Sequence, residues 1–157
     1  MALITFGRTP KFDLVTPKQF LWYRDIPLGT VTGTAYAGSP LTLGSDGKLA
    51  DYDNTKEGLA FVIVTDTNRG DVEFGDVVTV VDNSVSFVGK VSTDIVSGSI
   101  TFGDLVGVTS GNYYALTSAD AGATIIGKAQ SGAVGGWVTI RYFGADSQRL
   151  AVSGDFA

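Results

Sequence analysis

Enzymes that work near neutral pH mostly rely on a side chain able to take or give a proton there, and this 157-residue sequence contains neither histidine nor cysteine. That removes Ser-His-Asp and Cys-His nucleophilic catalysis, imidazole general bases, and zinc held by imidazole or thiolate. Carboxylates remain. The only pair the sequence relates is Asp76 and Asp104, which hold the same place in two near-identical pentapeptides, Phe74-Gly75-Asp76-Val77-Val78 and Phe102-Gly103-Asp104-Leu105-Val106. Packed as pseudo-symmetric neighbours, they would come within the roughly 5–9 Å of a glycosidase acid pair. The plainer reading has each aspartate capping the turn that opens a strand.

Other candidate chemistry is thin. Asp51-Tyr52-Asp53 and Asp66-Thr67-Asn68 begin like calcium loops, but Lys56 and Asp71 stand where the sixth-position glycine is required. Both read as solvated polar loops. Arg69-Gly70-Asp71 is a tripeptide that adhesion receptors read, yet such common residue types meet readily by chance in a polar loop. The glycines from Gly132 to Gly136 lack both the lysine and the following helix of a phosphate loop. Tyr113, Tyr114 and Trp137 offer a stacking platform for a sugar, with Asp76 and Asp104 as acids, which is the carbohydrate-binding alternative. No catalytic, cofactor-binding or metal-ligating residue is assigned, and the expectation is a protein that is not an enzyme and uses no cofactor.

The elements that would carry these residues are strands. Each pentapeptide opens an alternating run, Val77 to Val81 and Leu105 to Thr109, and each is followed by a second matching word, Val88-Gly89-Lys90-Val91 and Ile126-Gly127-Lys128-Ala129. A unit of turn, strand, turn, strand and Gly-Lys is therefore used twice. Further strands are expected at 30–32, 41–43, 48–50, 58–64, 85–88, 113–117, 124–130 and 136–143, with Asp46-Gly47 as a hairpin turn. The run 58–64 is the most apolar, and is expected to be central and buried on both faces. Helical periodicity is confined to Pro17 to Tyr23. Short strands at about ten-residue intervals, with 21 glycines, predict one all-β domain, a compact β-barrel or sandwich of short antiparallel strands, over 26–144. Residues 145–157 read as a surface tail.

Residues 1–25 differ. Pro10 and Pro17 interrupt any strand, and Phe12, Phe20, Trp22 and Tyr23 make the segment unusually aromatic. The expectation is an extended arm, lying on another surface or capping the domain's own core. If it lies elsewhere, deleting residues 1–20 leaves a folded domain. The arm carries Arg8, Lys11, Lys18 and Arg24 against Asp13 and Asp25, whereas 26–145 hold six basic and twelve acidic side chains, within a net charge of −5. An acidic body argues against nucleic acid as a partner. There is no basic-then-apolar leader and no apolar run near the ~20 residues of a membrane helix, so the expectation is no membrane partner and synthesis in the cytoplasm.

The repeated words, ending in Gly135-Gly136-Trp137-Val138-Thr139-Ile140-Arg141-Tyr142, resemble the head decoration, or capsid cement, proteins of tailed bacteriophages over about 26–144. The resemblance implies a β-barrel-like domain on the outside of a viral shell, a homotrimer bridging neighbouring capsomers of the major capsid protein, and an N-terminal arm that orders on the shell. Arm residues Arg8, Phe12, Phe20, Trp22 and Tyr23 then become the expected capsid or subunit contacts. Another virion part, a head-fibre base or tail protein, is the near alternative. A cement protein needs no active site, in keeping with the missing chemistry.

Overall fold

Where β-branched and aromatic residues alternate with polar ones, the chain forms strands that hydrogen-bond into one large antiparallel sheet and several small ones. The computed structural model describes residues 3–4, 11–29, 36–51, 61–62, 72–73, 77–81, 86–109, 111–144 and 148–156. Its strands are β1 (Leu3–Ile4), β2 (Phe12–Leu14), β3 (Tyr23–Pro27), β4 (Pro40–Leu43), β5 (Leu49–Asp51), β6 (Phe61–Val62), β7 (Val72–Glu73), β8 (Val77–Val81), β9 (Phe87–Ser92), β10 (Leu105–Thr109), β11 (Asn112–Ala115), β12 (Thr124–Ile125), β13 (Gly127–Ala129), β14 (Trp137–Tyr142) and β15 (Arg149–Leu150). The large sheet runs β11-β10-β13-β14-β9-β2; the small ones are β5-β4-β6, β3-β8, β1-β7 and β12-β15. The fold is all-β, as the strand spacing predicts.

The centre of the large sheet follows from period-two alternation. On β14, Val138, Ile140 and Tyr142 are buried while Arg141 is exposed; on β9, Phe87, Gly89 and Val91 face the same interior. Val106, Val108, Tyr113, Ile126, Ala129 and Phe12 complete one apolar cluster. This sheet is strongly curled. Laid flat at about 4.8 Å per strand, its outermost strands β11 and β2 would be roughly 24 Å apart. Yet Tyr113 of β11 and Phe12 of β2 both meet the Tyr142 ring edge-on, with centroids 6.1 and 6.0 Å away.

The turn at 36–39 bridges the two edges. Lys11 N–H donates to the Ala37 carbonyl at 3.1 Å, and the buried Tyr113 hydroxyl donates to the Gly38 carbonyl at 2.8 Å. Glycine is required at 38, because its φ is +102° and an added Cβ would press on the Cβ of Phe12. The Tyr142 hydroxyl donates to that of Tyr113 at 3.1 Å. Burial pushes both phenols above their ordinary value, and for Tyr142 the neighbouring Tyr113 pushes the same way. A raised folded-state value means that the neutral phenol is the form the fold favours. The stability this supplies is intact below the unfolded value of about 10 and drains as pH rises beyond it. Thermal midpoints should therefore stay level to about pH 10 and then fall, with a shallower fall in Tyr113→Phe.

Gly127 of β13 pairs with Tyr142 in register, and a Cβ there would run into the Arg141 carbonyl oxygen, a backbone atom that cannot swing aside. Gly127→Ala is expected to destabilise the protein by about 1–3 kcal/mol in urea unfolding, as overpacking does.

At the N-terminal end the described residues follow the core-capping reading of the arm; at the C-terminal end they depart from the surface tail expected at 145–157. Residues 11–27 are woven into the domain: β2 pairs with β9 and β3 with β8. A 1–20 deletion would thus remove an edge strand and its core residue Phe12. At the other end β15 pairs with β12, Ala151 is buried, and Phe156 packs with Leu116, Ala123 and Ile125 as a second, smaller core. Residues 149–156 are thus a structural layer over β10 and β11, held down by Ala151 and Phe156 in this second core and by the pairing of β15 with β12. The Arg149 guanidinium, with the Val152 N–H, lowers the Asp155 carboxyl to about 2 and fixes the last turn.

The Asp46-Gly47 hairpin stands as read, Gly47 taking φ +79° between β4 and β5. Of the run 58–64, only the backbone of Phe61–Val62 is described, paired with β4. The expected strand at 30–32 lies outside the described residues. The helical signal at 17–23 becomes a single 3-10 turn, Lys18–Phe20.

Candidate interaction surface

The path that leads out of β2 presents the most exposed aromatic residues of the arm. Val15 and Thr16 N–H groups both donate to the Val88 carbonyl, at 2.9 and 3.0 Å, and Val88 N–H donates back to Thr16 Oγ1 at 2.8 Å. These bonds clip the chain to the start of β9. Pro17 then opens the 3-10 turn, a position that suits its fixed φ, and accepts from Phe20 N–H at 3.0 Å. Leu21 drops into the main core at 8% exposure, while its neighbours Phe20 and Trp22 stand out at 67% and 75%. Tyr23 follows, exposed at the head of β3, its phenol raised by partial burial. Asp25, two residues on, accepts from Thr79 Oγ1 at 2.8 Å and ties β3 to β8.

Of the five arm residues expected at a contact, the structure therefore brings together Phe20, Trp22 and Tyr23 in one short stretch. Phe12 is not with them. It is a core residue, because β2 turns it inward over Gly89, where a Cβ would collide with its ring. Arg8 lies outside the described residues.

The acid-base candidates separate differently. Asp104 caps its own turn, accepting from Thr101 N–H at 2.8 Å and Thr101 Oγ1 at 3.1 Å. Asp120 does the same with Thr117, at 2.7 and 3.1 Å, so this is a recurrent turn device. Asp76 lies outside the described residues, as do Asp53 and 66–71. The sugar platform loses Tyr113, which is wholly buried with its hydroxyl committed to Gly38, while Trp137 faces the opposite side of the sheet. Among the described residues no group of three acidic, histidine or cysteine side chains gathers to hold a metal ion, and no helix is long and apolar enough to cross a membrane.

Sequence reading missed a second exposed apolar feature, Phe102 at 78% and Val134 at 72%. The sequence pattern marks Phe102 only as the first residue of a repeated turn. The available signal was a large apolar residue inside a turn, where Gly103 at φ +87° and the Asp104 cap already supply everything the turn needs. Gly103 N–H donates to the Ala129 carbonyl, and Val134 pairs with Trp137 where β14 starts. Both residues thus sit at the end of the sheet opposite Val15 and Val88, across the roughly 20 Å length of β14. Comparison with protein-family models finds none that matches this chain, and comparison with curated proteins finds no match either.

Proposed function

We propose that this protein is a structural virion subunit of the capsid decoration type, which binds the outer surface of a phage shell and bridges neighbouring capsomers of the major capsid protein. The observation that carries the reading is the pair Phe20 and Trp22, held in water on either side of the anchored Leu21. An aromatic ring of this kind buries about 150–250 Å² when it finds a partner. Two such rings on a backbone pinned by Leu21 and by the bonds to Val88 give a contact whose main chain needs little ordering on binding. Phe102 and Val134, exposed near the start of β14, supply a second apolar point, as a bridging subunit requires.

The working unit is a homotrimer. Three modest contacts held by one symmetric body multiply through effective concentration, so no single contact has to be strong. The particle surface is the site of action, and neither nucleic acid nor a membrane is a partner. Mixing the purified protein with undecorated shells and measuring co-sedimented protein tests this: uptake should saturate at a fixed stoichiometry. No uptake contradicts the proposal, and label confined to the tail assigns the protein to another part of the virion.

A further inference from the structure

The twice-used Gly-Lys word has a placement that the arm does not explain. Lys90 lies on β9 and Lys128 on β13, and these strands flank β14 on its two sides. In register, Lys128 stands opposite Arg141, and Lys90 opposite Thr139. The glycine of each word faces inward, where a Cβ would strike Phe12 or the Arg141 carbonyl, so each lysine faces outward. All three cations are exposed. The layer formed by β12, β15 and 153–156 packs against Leu105 and Tyr114 of β10 and β11, and leaves this part of the face open.

Lys128 and Arg141 are directly opposed like charges, an arrangement that destabilises an antiparallel pair. Neither has a carboxylate partner among the described residues; Arg141 lies only over the Phe143 ring, 6.0 Å from its centroid. A local surplus of positive charge, kept at a cost within a chain of net charge −5, needs a reason outside the fold. Half-buried Trp137 and Thr139 occupy the same face of β14. Tryptophan and arginine on one strand are residue types that anchor protein interfaces.

We infer that the Lys90, Lys128 and Arg141 face of the large sheet is a docking surface for a carboxylate-rich protein surface. Charge complementarity selects that partner. Nucleic acid fits less well, because three cations are few beside the roughly six to ten phosphate contacts that give duplex binding its strength and steep salt dependence; Asp13, opposite Lys90 on the neighbouring strand, weakens the attraction of either kind of anion. The surface is built from residues other than Phe20 and Trp22, and the inference stands whether or not those rings meet a viral shell.

The test uses the full chain, immobilised poly-L-glutamate as the acidic probe, an oligothymidylate of matched charge, and sedimentation velocity for self-association. The wild-type protein should bind polyglutamate at low salt, release it as salt rises, and bind the oligonucleotide more weakly. The triple variant Lys90→Gln, Lys128→Gln, Arg141→Gln should lose at least tenfold in polyglutamate affinity. Lys128→Gln alone should leave the thermal midpoint unchanged or higher, because it relieves the like-charge pair. Unchanged polyglutamate binding by the triple variant overturns the inference, as does tighter binding to the oligonucleotide. Self-association that the triple variant abolishes assigns the face to a second copy of this chain, and a lower midpoint in Lys128→Gln makes the lysine a structural residue; either result also overturns it.

Discussion

Tyr142→Ala is expected to lower stability by about 3–5 kcal/mol, the range for removing a buried aromatic side chain and leaving its cavity. The ring stacks on Phe87 at 4.8 Å with an interplanar angle of 5°, and takes Phe12 and Tyr113 edge-on from opposite ends of the strand order. Its loss therefore opens a void at the point around which the sheet curls, shared by β14, β9, β2 and β11. Tyr142→Phe keeps the ring and gives up one buried hydroxyl–hydroxyl bond, which costs about 1 kcal/mol. Urea unfolding of the two variants separates these contributions. If the alanine variant lost less than about 1 kcal/mol, the curled sheet would not depend on this ring.

The second large effect is on binding and leaves the fold alone. Phe20→Ala with Trp22→Ala removes two rings that touch little of the domain, so stability should stay within about 0.5 kcal/mol of the parent. Affinity for undecorated shells should fall at least about 30-fold. That corresponds to one interface hot spot of about 2 kcal/mol at 1.4 kcal/mol per decade. A trimer would steepen the loss, since each weakened contact lowers the benefit of the others. Equal loss of stability and affinity would mean that the rings serve the fold.

The parts of the fold legible in the sequence were those set by local pattern. Trp137 to Tyr142 alternates cleanly and is a central strand; Asp46-Gly47 supplies the positive φ of a hairpin and makes one. Pairing between distant segments was not legible. Val77 to Val81 and Leu105 to Thr109 begin inside matching pentapeptides, yet β8 pairs with β3 in a small ribbon while β10 lies in the large sheet between β11 and β13. Identical local preference cannot choose a partner strand; the side chains met across the sheet do that. Phe12 shows the same limit. Its burial depends on Gly89, 77 positions later, leaving room for the ring, so an aromatic arm could not be divided by eye into core and surface. The alternation of Phe12, Asp13 and Leu14 was present but too short to stand out between Pro10 and Pro17. Phe20 and Trp22 flank Leu21, which the Pro17 turn delivers into the main core, and both stay exposed.

Imaging shells saturated with the protein, at a resolution that distinguishes the two ends of the domain, tests the central claim most directly. The account predicts three-fold density over the head surface, at junctions between capsomers, with the Phe20–Trp22 end of each subunit in contact with the shell or with a neighbouring subunit. Shells that remain bare at saturating protein, or bound subunits whose Phe20–Trp22 end projects freely into solvent, would contradict it.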